Sequence, residues 1–167
     1  KITMKNLCVF TSFDSSHANV DDETLGEKVK SQCGFVNGIC SPALLEGEES
    51  PVMIAEFQSA SVKRVVRSTL SAEGYGASEG SEAADRIASI EHSKEFPLKP
   101  KVLWMTDSKG LHDVVKKECG MPKDKRLRIV VAALKQAYQE ENVTFQWIDT
   151  LMMMADALTK DGVDASI

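Results

Sequence analysis

Apolar and polar positions change their period in a definite order along this chain. Residues 6–13, Asn6-Leu7-Cys8-Val9-Phe10-Thr11-Ser12-Phe13, alternate imperfectly and are β-prone, which predicts a strand ending at Asp14. The polar and acidic stretch 19–30, with Asp21, Asp22, Glu23, Gly26 and Glu27, reads as a surface loop. Cys33 to Ile39 predicts a second strand and Val52 to Phe57 a third. Between them, residues 41–50 hold Pro42, Gly47 and three glutamates, the mark of a solvated connection. Ser68-Thr69 can cap a helix running to about Ser93, with Ala72, Tyr75, Ala83, Ile87 and Ile90 on its inward face. Gly74, Gly76 and Gly80 would each cost that helix about 1 kcal/mol relative to alanine, so they point to close packing against a sheet. Pro97 and Pro100 close the connection that follows.

The second half alternates strand and helix. Val102-Leu103-Trp104-Met105-Thr106 is a near-continuous apolar run ending at Asp107, as expected of a central strand. A short helix over 108–117 follows, and Gly120-Met121-Pro122 breaks the chain. Arg126 to Glu140 has helical spacing, with Leu127, Val130, Val131, Leu134 and Tyr138 on one side. Val143 to Ile148 is a strand, and Thr150 can cap a last helix from about Leu151 to Thr159. Trp104 and Trp147 are expected between sheet and helices, and Met152, Met153 and Met154 in core packing. Three strands, a helix, then alternating strand and helix predict one mixed α/β domain over residues 1–167.

Composition narrows the class. A hydrophobic fraction of 43% and a charged fraction of 27% are ordinary for a globular domain. No stretch approaches the roughly 20 apolar residues that span a bilayer, so no membrane partner is expected. The start, Lys1-Ile2-Thr3-Met4-Lys5, has no initiator methionine or apolar signal region and reads as a fragment or processed product of something longer. Cys8, Cys33, Cys40 and Cys119 have irregular spacing and no histidine cluster, which argues against zinc and for buried, reduced thiols inside a cell. The net charge of −5 argues against binding nucleic acid by bulk electrostatics, although a local basic face remains open.

Four acids fall at the expected ends of buried elements, where α/β proteins tend to place function. Asp14 ends the first strand, Asp107 ends the central one, Glu73 lies in the first turns of the long helix, and Asp156 lies early in the last. None sits in a hydrophilic run. Gathered in one semi-apolar cleft, they would repel one another and their pKa values would rise unless a cation neutralised them. Hard oxygen ligands suit Mg²⁺ or Mn²⁺. Two such ions about 3.5–4 Å apart can activate a water on one side of a phosphodiester and stabilise the leaving oxygen on the other. That chemistry needs no nucleophilic side chain, and the sequence shows no Ser-His-Asp or Cys-His arrangement. Taken singly, each acid reads more readily as a helix cap or a surface charge, and spacing does not show that the four converge.

Local context adds a family resemblance that covers residues 13–160. Phe13-Asp14-Ser15-Ser16-His17-Ala18 resembles the first-strand motif of Ty1/copia-type retrotransposon ribonuclease H domains. Lys63-Arg64-Val65-Val66-Arg67-Ser68-Thr69-Leu70-Ser71-Ala72-Glu73 is similar to their Ser-(Ser/Thr)-x-x-Ala-Glu segment, and Trp104-Met105-Thr106-Asp107-Ser108 to their third block. Thr150 with Ala155-Asp156-Ala157-Leu158-Thr159-Lys160 matches the closing motif, Ala-Asp-x-Leu-Thr-Lys preceded by Thr. The order Asp, Glu, Asp, Asp separates this chain from integrases, whose glutamate comes last. Ser16 stands where proofreading exonucleases need glutamate. Departures are Ser16, where copia domains often carry a second acid, Gly74 for a frequent tyrosine, Val130 for Asp or His, and the apolar Leu151-Met152-Met153-Met154. No histidine precedes the last acid to match the one that assists cellular ribonucleases H.

The resemblance implies a ribonuclease H-like fold: a mixed five-stranded sheet, first three strands antiparallel, flanked by helices. It implies Asp14, Glu73, Asp107 and Asp156 as catalytic metal ligands for two Mg²⁺ or Mn²⁺ ions. It also implies endonucleolytic cleavage of the RNA strand of RNA–DNA hybrids, inside a cell or retroelement particle, with a reverse transcriptase portion or larger assembly as partner. The rival reading is a domesticated, catalytically idle domain serving as a structural or nucleic-acid-binding subunit. Lys63, Arg64 and Arg67, and Lys123, Lys125, Arg126 and Arg128, form two basic groups suited to gripping phosphates without reading bases, or simply a solvated charged face. Ser12, Ser15, Asn19, Ser68 and Ser108 are candidate contacts to 2′-hydroxyls or phosphates, and His17 reads as an ordinary loop histidine.

Overall fold

The computed structural model describes residues 7–22, 27–63, 65–91, 100–117, 120–140 and 142–160. Arg64, His92, Pro97, Cys119, the predicted helix end at Ser93 and the side chain of Asn19 lie outside them. Strands β1 (Cys8–Asp22), β2 (Glu27–Cys40), β3 (Val52–Ser61), β4 (Lys101–Thr106) and β5 (Val143–Trp147) form one sheet in the order β3-β2-β1-β4-β5. β1–β2 and β2–β3 are antiparallel, and β1–β4 and β4–β5 are parallel. Helices α1 (Thr69–Glu91), α2 (Lys109–Lys116) and α3 (Lys125–Glu140) complete it. This is the expected mixed sheet with its first three strands antiparallel.

Alternation along the strands builds two unequal layers. One face carries Val9, Phe13, Phe35, Val102, Trp104 and Phe145 beneath α1, α2 and α3, which add Ala77, Ala84, Ala88, Leu111 and Leu134. The Trp104 and Phe145 rings meet edge to face, with centroids 5.7 Å apart. The other face carries Cys8, Phe10, Val36, Cys40, Leu103 and Met105. Among the described residues its cover is a 3₁₀ turn at Pro42–Glu46 and the segment 148–158, which supply Leu44, Leu45, Ile148, Met154 and Leu158. β4 is buried on both faces from Val102 to Thr106, which explains its unbroken apolar sequence.

Several expectations are corrected. The first strand does not end at Asp14: β1 continues to Asp22 and pairs through Val20–Lys30 and Asp22–Glu27, past a register shift at Ala18, whose φ is 53°. Backbone ladder bonds define this stretch, and its mostly polar sequence has no clear alternation to announce it. His17 therefore lies on a strand. The predicted last helix is instead two 3₁₀ turns, Thr150–Met152 and Asp156–Leu158, with Asp149 capping the first in place of Thr150. Extended backbone at Met153 separates them and buries that side chain. Leu151 and Met152 remain exposed, so only Met153 and Met154 of that run pack in the core. Ile90 is 76% exposed, because it lies about 200° around α1 from the buried Ala88. Trp147 is half exposed at the end of an edge strand.

Candidate metal centre

Asp14 sits on β1 just past the point where β4 stops running beside it, since the β1–β4 pairing ends at Ser12–Met105. It is 7% exposed. α1 crosses here at very short range. A Cβ on Gly76 would lie 2.5 Å from Ser15 Oγ and 3.2 Å from Asp14 O, so only glycine permits the approach. Ser15 Oγ donates to Ala72 O at 3.0 Å and fixes the crossing. Glu73, one turn before Gly76, is thereby carried to Asp14. Gly80 likewise abuts β1, at Thr11 and Phe13, whereas Gly74 faces Leu127 and Val130 of α3 rather than the sheet.

Asp107 follows directly after β4. It arrives from the opposite side, with Trp147 Nε1 donating to its carbonyl at 2.8 Å and Thr150 Oγ1 to its Oδ2 at 2.9 Å. Asp14, Glu73 and Asp107 each offer one oxygen, and the three oxygens lie within 4.8 Å of one another. Glu73 is 5% exposed, and its Oε2 is buried without a hydrogen-bond partner. Burial, then the charges of Asp14 and Asp107, push its carboxyl up to about 9. Burial also lifts Asp14, against the Thr159 hydroxyl, which holds it down; Asp107 and Asp156 add to the rise. Three close acids, one with an orphaned buried oxygen, fit a hard cation that would satisfy the oxygen and offset the repulsion.

Asp156 is not among the three whose oxygens lie within 4.8 Å of one another. It stands in the second 3₁₀ turn, where Lys160 Nζ donates to its Oδ2 at 2.6 Å. Its carboxylate is only a quarter exposed, and it acts on Asp14 through its charge. The same turn delivers Thr159, whose hydroxyl donates to Asp14 Oδ2. The sequence reading included Thr150, Thr159 and Lys160 in a motif but gave them no role; their fixed spacing around Asp156 was the available signal.

The basic groups lie at the start of α1 and α3. Lys63, Arg67, Lys123, Lys125, Arg126 and Arg128 are all exposed. Arg67 and Arg126 both act on Asp124, which caps α3 by accepting from Arg126 N and Leu127 N, each at 2.9 Å. The two groups therefore approach one another at that cap. Among the proposed hydroxyl contacts, Ser12 and Ser15 are buried and spent on Met153 Sδ and Ala72 O. Ser68 and Ser108 bond the first turns of α1 and α2, at Ser71 N and Leu111 N. None of those four presents an unengaged hydroxyl.

No protein-family model matches the sequence, and no curated protein is significantly similar to it. Solved structures do match. The N-terminal ribonuclease H domain of a Mycobacterium tuberculosis protein is 13% identical with a TM-score of 0.55, over 92% of this chain and 91% of that one. A ribonuclease H from the halophilic archaeon Halobacterium salinarum is 16% identical with a TM-score of 0.57, over 90% and 93%. A foamy viral protease–reverse transcriptase in complex with an RNA/DNA hybrid is 12% identical with a TM-score of 0.62, over 95% of this chain but 20% of the larger one. At these identities the likeness concerns architecture, and it establishes that this chain has the ribonuclease H fold.

Proposed function

We propose that this chain is a divalent-metal-dependent endonuclease that hydrolyses the RNA strand of RNA–DNA hybrids, and that it derives from a Ty1/copia-type retroelement polyprotein. The observation that carries the reading is the convergence of Asp14, Glu73 and Asp107, with an unpartnered Glu73 oxygen among them. Asp14, Glu73 and Asp107 would hold the ions, and Asp156 would complete the set from the neighbouring turn. Bound there, two Mg²⁺ or Mn²⁺ ions supply an activated water and stabilise the leaving oxygen. The protein buries Asp14 and Glu73 and fixes the orientation of the acids. Lys63, Arg64 and Arg67 on one side and Lys123, Lys125, Arg126 and Arg128 on the other hold phosphates of the hybrid. Cations in the first turn of α3 oppose its dipole by about 0.3–1 kcal/mol each, a cost that a phosphate ligand would reverse. The fold's occurrence within a hybrid-bound foamy viral reverse transcriptase supports the substrate class.

A second reading, an idle subunit of a larger assembly, draws on one observation. Val52, Ile54 and Phe57 pair with Cys40, Gly38 and Val36, so they continue the thinly covered face onto the edge strand, where they stand exposed. Incubating the chain with a hybrid labelled on its RNA strand, in Mg²⁺ or Mn²⁺, decides between the two. RNA cleavage by the wild-type chain and none by Asp107→Asn is the expected result. A folded wild-type chain inert in both metals would transfer the case to the assembly subunit.

A further inference from the structure

Two hydroxyls reach the centre from one short segment. Thr150 Oγ1 donates to Asp107 Oδ2 at 2.9 Å, and Thr159 Oγ1 donates to Asp14 Oδ2. Neither hydroxyl is needed to cap its own turn: Asp149 Oδ1 takes the Leu151 N–H at 2.9 Å, and the second turn has no side-chain cap. The backbone is shaped for the Thr159 contact. Gly34 is the residue paired with Asp14 across the β1–β2 ladder, and a Cβ there would lie 2.7 Å from Leu158 Cβ and 3.2 Å from Thr159 Cγ2. Only a residue without a side chain opposite Asp14 lets that turn settle onto the sheet. Ser59 Oγ anchors the same turn by donating to Leu158 O. Thr159 is 2% exposed. Its hydroxyl also lies 3.1 Å from the Asp156 carbonyl, but it has one proton, and a carboxylate is the stronger acceptor.

We propose that Thr150 and Thr159 are positioning residues of the metal centre, each pinning one oxygen of its aspartate so that the other stays available to a cation. The proposal rests on the metal-binding reading above. Asp14 and Asp107 are thus oriented before any ion arrives, whereas the buried Glu73 Oε2 has no such partner. Groups that orient metal ligands in this way are typically worth 10–100-fold in metal affinity or activity.

The test is Mn²⁺ titration calorimetry on the wild-type chain and on Thr150→Val, Thr159→Val, Thr150→Ser and Thr159→Ser, with far-UV circular dichroism to confirm folding. Valine keeps the branched shape and removes the hydroxyl; serine keeps the hydroxyl. Each valine variant is expected to bind Mn²⁺ about tenfold or more weakly, with serine restoring affinity close to wild type. The Mg²⁺ concentration giving half-maximal hybrid cleavage should rise in step, while the rate at saturating Mg²⁺ is largely recovered. A purely packing role would move the melting temperature without moving either metal dependence. Thr150 is exposed, so its valine variant keeps the test decisive if Thr159→Val does not fold. Valine variants that bind Mn²⁺ as tightly as wild type overturn the positioning role alone. A wild-type chain that binds no Mn²⁺ overturns the metal reading and this proposal together.

Discussion

The two faces of the sheet are built to different standards. One is roofed by three helices, which set Leu111 and Leu134 over Phe13, Trp104 and Phe145. The other, over Phe10, Val36, Leu103 and Met105, is covered by a 3₁₀ turn and the irregular segment 148–158. The candidate centre lies where the two meet. Glu73 comes from the helical side, and the hydroxyls on Asp14 and Asp107 come from the thin side. A thick face can spare little movement, because close-packed interiors transmit strain. A thin one can be specialised for holding side chains at small cost to the core. The difference separates what keeps the chain folded from what orients its acids.

The strongest way to break this comparison is Asp107→Asn, which is expected to reduce hybrid cleavage below detection. It should leave the melting temperature equal or higher, since it removes one of three mutually repelling acids. A variant that unfolds instead would mean that the acids are structural. Next in size is a pair of truncations. Phe145→Ala on the thick face should cost about 3–5 kcal/mol in urea unfolding, and Met154→Ala on the thin face about 2 kcal/mol or less. Equal costs would erase the distinction between the faces.

A pH series sharpens it further. The Glu73 carboxyl titrates near 9 in the folded chain and near 4.5 in its ordinary state, so between these values the folded state holds the extra proton. Stability in EDTA is therefore greatest below about pH 4.5 as far as this group is concerned, and it declines as pH rises toward 9. Glu73→Gln should flatten that slope, and saturating Mn²⁺ should remove it in the wild type. A slope unchanged by Glu73→Gln would place its source elsewhere. The smallest effect is expected on the exposed edge: Phe57→Ser should shift stability within about 0.5 kcal/mol. A cost of about 2 kcal/mol or more would show that the strip is covered in solution.

Most of the thick face was legible in the sequence. Helical spacing in 126–140, the apolar run 102–106 and the glycines of α1 each report a buried surface with its own period. What escaped follows from the absence of such a surface. The outer part of β1 is a polar ribbon, and backbone pairing leaves no mark on side-chain order. Leu151-Met152-Met153-Met154 looks helical by composition, yet one extended residue at Met153 sends its neighbours outward. For the centre, the sequence supplied three acids that the fold brings together. It did not show that two threonines would reach the carboxylates, because those contacts span 43 and 145 positions. Long-range hydrogen bonds have no period.

That separation also sets a clock. Thr159 is synthesised 145 residues after Asp14, the acid it holds. At about 5–20 residues per second, this is an interval of roughly 7–30 s on the ribosome. During that time the central strands can pair and the helices can dock, while the acids stand without the turn that orients them. On the proposed reading, a chain whose translation stops inside the interval carries the ligands of a nuclease without their alignment. Competence to cut would then arrive only after the five strands and three helices have been made.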